Sequence, residues 1–107
     1  HLPPFIQKIK KFKSKGIDEI VFLSVNDPFV MSEWMKNNNA DEINFLSDPF
    51  CEFGKKTGLT IDLSEIGLGL RLSRFAMVIY NNEVLVIFDE EGGGLDKSSA
   101  DSILKAI

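Results

Sequence analysis

Glu19-Ile20-Val21-Phe22-Leu23-Ser24-Val25, closed by Asn26-Asp27-Pro28, is the stretch that decides the fold. Ile20 to Leu23 are apolar without alternation. Such a run reads as a strand buried on both faces, the pattern of a parallel sheet covered by helices. Asp27 is a good helix N-cap and Pro28 a good first helical residue, where a missing N–H costs nothing. The stretch therefore predicts a strand feeding directly into a helix.

Working outward, the same unit recurs. Upstream, Pro3 and Pro4 suit a first helical turn, and Phe5, Ile6, Ile9 and Phe12 follow at helical spacing until Gly16. Downstream of Pro28, Val30, Met31, Trp34 and Met35 form the buried stripe of a helix broken by Asn37-Asn38-Asn39. Ile43 to Leu46 reads as a second short strand, and Asp48-Pro49-Phe50 repeats the Asp27-Pro28-Phe29 corner, predicting a helix from Pro49 to about Gly58. Leu59 to Gly69 reads as loop. Arg74–Tyr80 and Glu83–Phe88 read as strands joined by Asn81-Asn82, a pair that tolerates positive φ and so suits a tight type I′ hairpin. An acidic, glycine-rich loop from Asp89 to Leu95 leads to a last helix, with Ser98 and Asp101 as a capping box and Ile103, Leu104 and Ile107 buried.

The predicted order is helix, strand, helix, strand, helix, hairpin, helix. Early alternation implies parallel strands with crossover helices, and the hairpin adds antiparallel strands to the same sheet. This is an α/β, thioredoxin-like mixed sheet with flanking helices. A flavodoxin-like sheet would not predict the late hairpin. At 107 residues the chain is a single domain, 1–107.

Composition narrows the function classes. Hydrophobic content of 44% and charge of 26% are those of a globular protein, and a net charge of −4 gives no electrostatic drive toward nucleic acid. Lys8, Lys10, Lys11, Lys13 and Lys15 read as the solvated face of one helix, with a docking patch as the alternative. No run approaches the ~18 apolar residues of a membrane span. One cysteine, Cys51, excludes an internal disulfide and fits a reducing compartment.

Few residues carry evident chemistry. His1 stands alone, so a histidine metal cluster is excluded, and no metal or cofactor is expected. Cys51 lies in the first turn of a predicted helix, which favours a thiolate, yet Asp48 and Glu52 flank it and oppose one. It reads either as structural or as a secondary redox thiol. Arg71 and Arg74 bracket the start of the hairpin, where a guanidinium can stabilise a thiolate or an anionic oxygen or can be a plain surface group. Gly67-Leu68-Gly69 and Gly92-Gly93-Gly94 lack the spacing of a nucleotide loop.

Several blocks resemble type II (five-type) peroxiredoxins. His1-Leu2-Pro3-Pro4-Phe5 is similar to that family's His-Leu/Val-Pro-Gly-Phe, with Pro4 replacing Gly. Ser24-Val25-Asn26-Asp27-Pro28-Phe29-Val30 resembles Ser-Val-Asn-Asp-x-Phe-Val, and Trp34 matches a family tryptophan. Asp48 with Phe53 matches an Ala-Asp-x-x-x-x-Phe segment. Arg71-Leu72-Ser73-Arg74-Phe75 resembles an Arg-x-x-Arg-Phe/Tyr strand, and Glu90–Gly94 with Ser98-Ser99-Ala100 the family's Glu-x-x-Gly loop and last helix.

The resemblance implies a thiol peroxidase that reduces hydrogen peroxide and organic hydroperoxides through a cysteine sulfenic acid. A thiol reductant, glutathione with glutaredoxin or thioredoxin, regenerates it. The family's Pro-x-x-x-Thr-x-x-Cys would precede His1, so the chain is expected to be a piece lacking the N-terminal strands, the central strand included. That strand would lie between Ile20–Val25 and Arg74–Tyr80, and without it two half-sheets would expose unpaired edges and promote aggregation. Arg74 matches the active-site arginine, Arg71 is a weaker candidate, and His1 would neighbour the nucleophile. Cys51 does not match the nucleophile, and the family's resolving positions fall at Phe22 and near Lys97, neither a cysteine. A homodimer and a cytoplasmic location are expected, with mitochondrial or plastid targeting as alternatives. The competing function is a thioredoxin-like binding module that has lost its cysteine.

Overall fold

The computed structural model describes residues 2–90 and 95–107. Two short helices open the chain, α1 (Leu2–Gln7) and α2 (Ile9–Ser14). They form one stripe hinged at Lys8 rather than the single helix expected. The Lys8 N–H still donates to the Pro4 carbonyl at 3.1 Å and the Phe12 N–H to the Lys8 carbonyl at 3.0 Å, so the apolar register survives the hinge. Leu2, Phe5, Ile9 and Phe12 are all buried as a result.

Strand β1 (Val21–Ser24) leads to helix α3 (Pro28–Asn37), and β2 (Asn44–Ser47) then pairs with β1 in parallel, Val21 opposite Asn44 and Ser24 opposite Ser47. The Asp27 corner forms as expected: its carboxylate accepts from the Val30 N–H at 2.9 Å, and Pro28 fills the first turn. The Asp48 corner does not copy it. Helix α4 (Glu52–Thr57) starts later than predicted, because Cys51 adopts a left-handed conformation at φ +53° and ends the approach from Pro49. Asp48 reaches over this extra turn to accept from the Glu52 and Phe53 N–H groups at 2.9 and 3.1 Å. One tripeptide thus caps two helices at different offsets.

The segment read as loop holds two strands, β3 (Thr60–Leu63) and β4 (Gly69–Leu72), paired antiparallel around a 3-10 turn at Ser64–Ile66. Strands of four residues, one containing glycine, give too short an alternation to read. β5 (Phe75–Tyr80) and β6 (Glu83–Asp89) form the hairpin, with Asn81 and Asn82 at φ +50° and +64°, the signature of a type I′ turn. The last helix, α5 (Ala100–Ala106), is capped by Ser99, whose hydroxyl accepts from the Ser102 N–H. The expected Ser98–Asp101 box is therefore displaced by one residue, and Ser98 is instead wholly buried.

The main core joins α1, α2 and α5 to one face of β1 and β2. Leu2, Phe5, Ile9, Phe12, Ile43, Ala100 and Ile103 are its buried members. Phe5 stacks on Phe12 with ring centroids 5.5 Å apart, and Trp34 meets Phe45 edge to face at 5.1 Å.

The strands make three separate two-stranded ladders, not one continuous sheet. Consequently β1 is not buried on both faces: Val21 is exposed and Phe22 to Ser24 are half-buried. Its second edge lacks a hydrogen-bonded neighbour among the described residues, and so does that of β5.

Candidate active site

These two strands wall a cleft of about 1470 Å³, lined among others by Phe22, Asn26, Trp34, Arg71, Arg74 and Val78. The cleft runs along β1 from Ile20 to the Asn26 corner and along β5 from Arg74 to the Asn82 turn. Its walls are mainly apolar, and both candidate arginines stand on it.

Arg71 projects from β4, half-buried, and its Nη2 donates to Asn26 Oδ1 at 2.8 Å. Asn26 is itself fixed: its N–H donates to Ser24 Oγ at 3.1 Å, and its carbonyl accepts from the Ser47 hydroxyl. A guanidinium held by a neutral amide keeps its full positive charge for the cleft. Arg74 lies at the bend between β4 and β5, with its carbonyl accepting from the Glu90 N–H at 3.1 Å and its side chain exposed. Arg71 and Arg74 thus both line this cleft. His1 lies outside the described residues.

Cys51 is elsewhere. It is 3% exposed and does not line the cleft. Its sulfur lies against Gly54, so closely that a Cβ at Gly54 would stand 2.7 Å from Sγ, with Leu72 and Thr60 side chains 2.8 and 2.9 Å away. It sits at the N-cap of α4 without a capping bond from its side chain, not in the first turn as expected. In that setting a thiol behaves as a small apolar group.

Reading the residues one at a time gave no role to Asn26 or Glu90. Asn26 pairs with Arg71 across 45 positions of chain, which local patterns do not encode. Glu90 accepts from the N–H groups of Asp96, Lys97 and Ser98 at 2.8, 3.1 and 2.7 Å and from the Ser98 hydroxyl at 2.7 Å. The Ser98 N–H foremost, with the other donors, holds the carboxyl down at about 2. This clasp ties the end of β6 to the start of α5 beside Arg74.

No group of three or more potential metal ligands occurs among the described residues, and no described helix is long and apolar enough to cross a membrane.

Comparison with known proteins places this architecture. The redoxin family pattern matches residues 1–104. Peroxiredoxin-2C of Oryza sativa subsp. japonica is 45% identical over 108 residues, and Peroxiredoxin-2D of Arabidopsis thaliana 46% identical over 108 residues. Each alignment covers the whole of this chain and 67% of the relative, so the chain spans about two thirds of their length. The crystal structure of reduced Prx3 from Vibrio vulnificus in complex with H2O2 superposes with a TM-score of 0.94 at 41% identity, covering 100% of this chain and 69% of that one. The thioredoxin-like α/β fold expected from the sequence is borne out by that superposition, although the three ladders of this chain are not joined. Family pattern, relatives and fold agree: the chain belongs to the peroxiredoxins, a family of antioxidant thiol peroxidases.

Proposed function

We propose that the intact protein reduces hydrogen peroxide and organic hydroperoxides at the cleft between β1 and β5, with Arg74 as the catalytic cation. The observation that carries this reading is the pair of arginines lining a largely apolar cleft, bounded by two strand edges that have no hydrogen-bonded neighbour among the described residues. Such a cleft suits the family's central strand, whose end bears the Thr-x-x-Cys turn, and residues ahead of His1 would supply it. A guanidinium beside that turn favours the thiolate over the thiol and stabilises charge as the O–O bond breaks.

The chemistry balances with a thiol as reductant. The thiolate attacks one peroxide oxygen, an S–O bond forms, the O–O bond breaks, and the other oxygen leaves as water or an alcohol after taking a proton. The resulting sulfenic acid condenses with a reductant thiol to a disulfide and water, and a second thiol releases the enzyme cysteine. Glutathione with glutaredoxin, or thioredoxin, are the reductant classes. Arg71, tethered to Asn26, supports the same electrostatic wall.

The test is hydroperoxide consumption by the intact protein. Arg74→Ala should lower kcat/KM by about 10²-fold or more, the scale of losing one preorganised charge donor, while the fold is retained. An undiminished rate would remove Arg74 from the mechanism. If the coding sequence ahead of His1 holds no Thr-x-x-Cys, a binding module replaces the peroxidase.

A further inference from the structure

The charge of this chain is segregated. Residues 1–17 carry five lysines and no acidic side chain, whereas the other ninety residues carry all sixteen acids against seven basic groups. Folding concentrates the contrast. Lys8, Lys11 and Lys15 follow each other at spacings of three and four, the spacing of one helical face, and α5 brings Lys105 beside them. With Ser14, Asp101 and Leu104 they line a concave notch of about 290 Å³. Lys8 is ion-paired with Asp101. Lys11, Lys15 and Lys105 are exposed and take no part in an ion pair within the described residues. Lys10 and Lys13, also exposed, extend the positive surface along α2.

We propose that this lysine-rimmed notch docks an acidic segment of a partner protein, a short run of Asp and Glu side chains. Charge and extent select that occupant. Lys8 to Lys15 spans roughly 10 Å of helix, which about three residues of extended chain cover. At physiological ionic strength fields decay over about 8 Å. A short acidic segment therefore meets mainly the lysines, since the carboxylate of the notch, Asp101, is already ion-paired with Lys8. An anionic bilayer or a nucleic acid presents its charge over a wider area and would also meet a chain whose other ninety residues carry sixteen acids against seven basic groups. Leu104 offers an apolar floor for the methylenes of a Glu side chain. The notch shares no lining residue with the arginine-bearing cleft, so a docked segment leaves the cleft open. The inference stands apart from the peroxidase reading and does not need it.

Titration of the intact protein with fluorescein-labelled hexaglutamate at about 0.15 M salt tests it. Binding should be saturable. Lys11→Glu/Lys15→Glu/Lys105→Glu should weaken it by about tenfold or more, the corresponding Gln triple variant by less, and Lys55→Glu/Lys56→Glu on α4 by less than about twofold. Unchanged circular dichroism establishes that each variant is folded. Absence of binding at this salt, equal losses in the α2–α5 and α4 variants, or tighter association with phosphatidylserine vesicles than with the peptide would each overturn the proposal.

Discussion

The helical flank and the hairpin are built from similarly apolar sequence and end in opposite states. Leu2, Phe5, Ile9 and Phe12 are each less than 8% exposed, whereas Val84, Leu85, Val86 and Ile87 are 50%, 60%, 39% and 47% exposed. A helix closes its backbone hydrogen bonds within itself and needs a neighbour for one face alone. A strand needs partners along both edges as well as cover for its faces. α1 and α2 pack on α5 and the β1–β2 pair, while β5 and β6 hydrogen-bond only to each other among the described residues and turn Ala76 and Phe88 toward the core. Apolar content alone therefore does not say where the core lies; the number of neighbours an element requires does.

The largest effect should come from the closed flank. Phe12→Ala removes a ring stacked on Phe5 and should destabilise by about 3–5 kcal/mol, whereas Val86→Ala on the hairpin should change stability by less than about 1 kcal/mol. Chemical denaturation of the two variants measures the difference, and equal losses would break the contrast. Next comes Gly54→Ala on α4. Its new methyl would meet the Cys51 sulfur, Leu72 and Thr60 at once, an overpacking cost of about 1–3 kcal/mol. Asp27→Ala should cost about 1 kcal/mol through loss of the α3 cap, read as a lower denaturation midpoint with an unchanged slope.

The smallest effect is a pH dependence. Glu90 titrates at about 2 in the fold against an ordinary value of 4.5, so its contribution is fully present above the ordinary value and fades as pH falls toward about 2. Glu90→Gln should flatten the stability curve across that acid window while leaving its shape near neutrality unchanged. A variant curve as steep as the parent's would show that the clasp does not govern the joint between β6 and α5.

Elements announced by their own residues were legible. The α3 cap, the Asn81-Asn82 turn and the apolar stripe of α1–α2 each rest on neighbours close in sequence. Three features were not. β3 and β4 are too short for alternation to register, and they exist by pairing with each other. The second Asp-Pro-Phe corner looked identical to the first, but the left-handed turn at Cys51 shifted its helix. The Arg71–Asn26 bond crosses from one ladder to another, so it follows from assembly, not from local pattern. Of the cleft's lining, both arginines stand out in the sequence at the start of the hairpin, whereas the amide that holds one of them emerges only from the fold.

Cys51 has a practical consequence through its burial against Gly54. An alkylating dye applied to the native molecule will find this sulfur shielded, and will label it only as the chain opens. Any rapid labelling phase in the intact protein then reports a different sulfur, free of background, and the slow phase becomes a clock for local opening around α4.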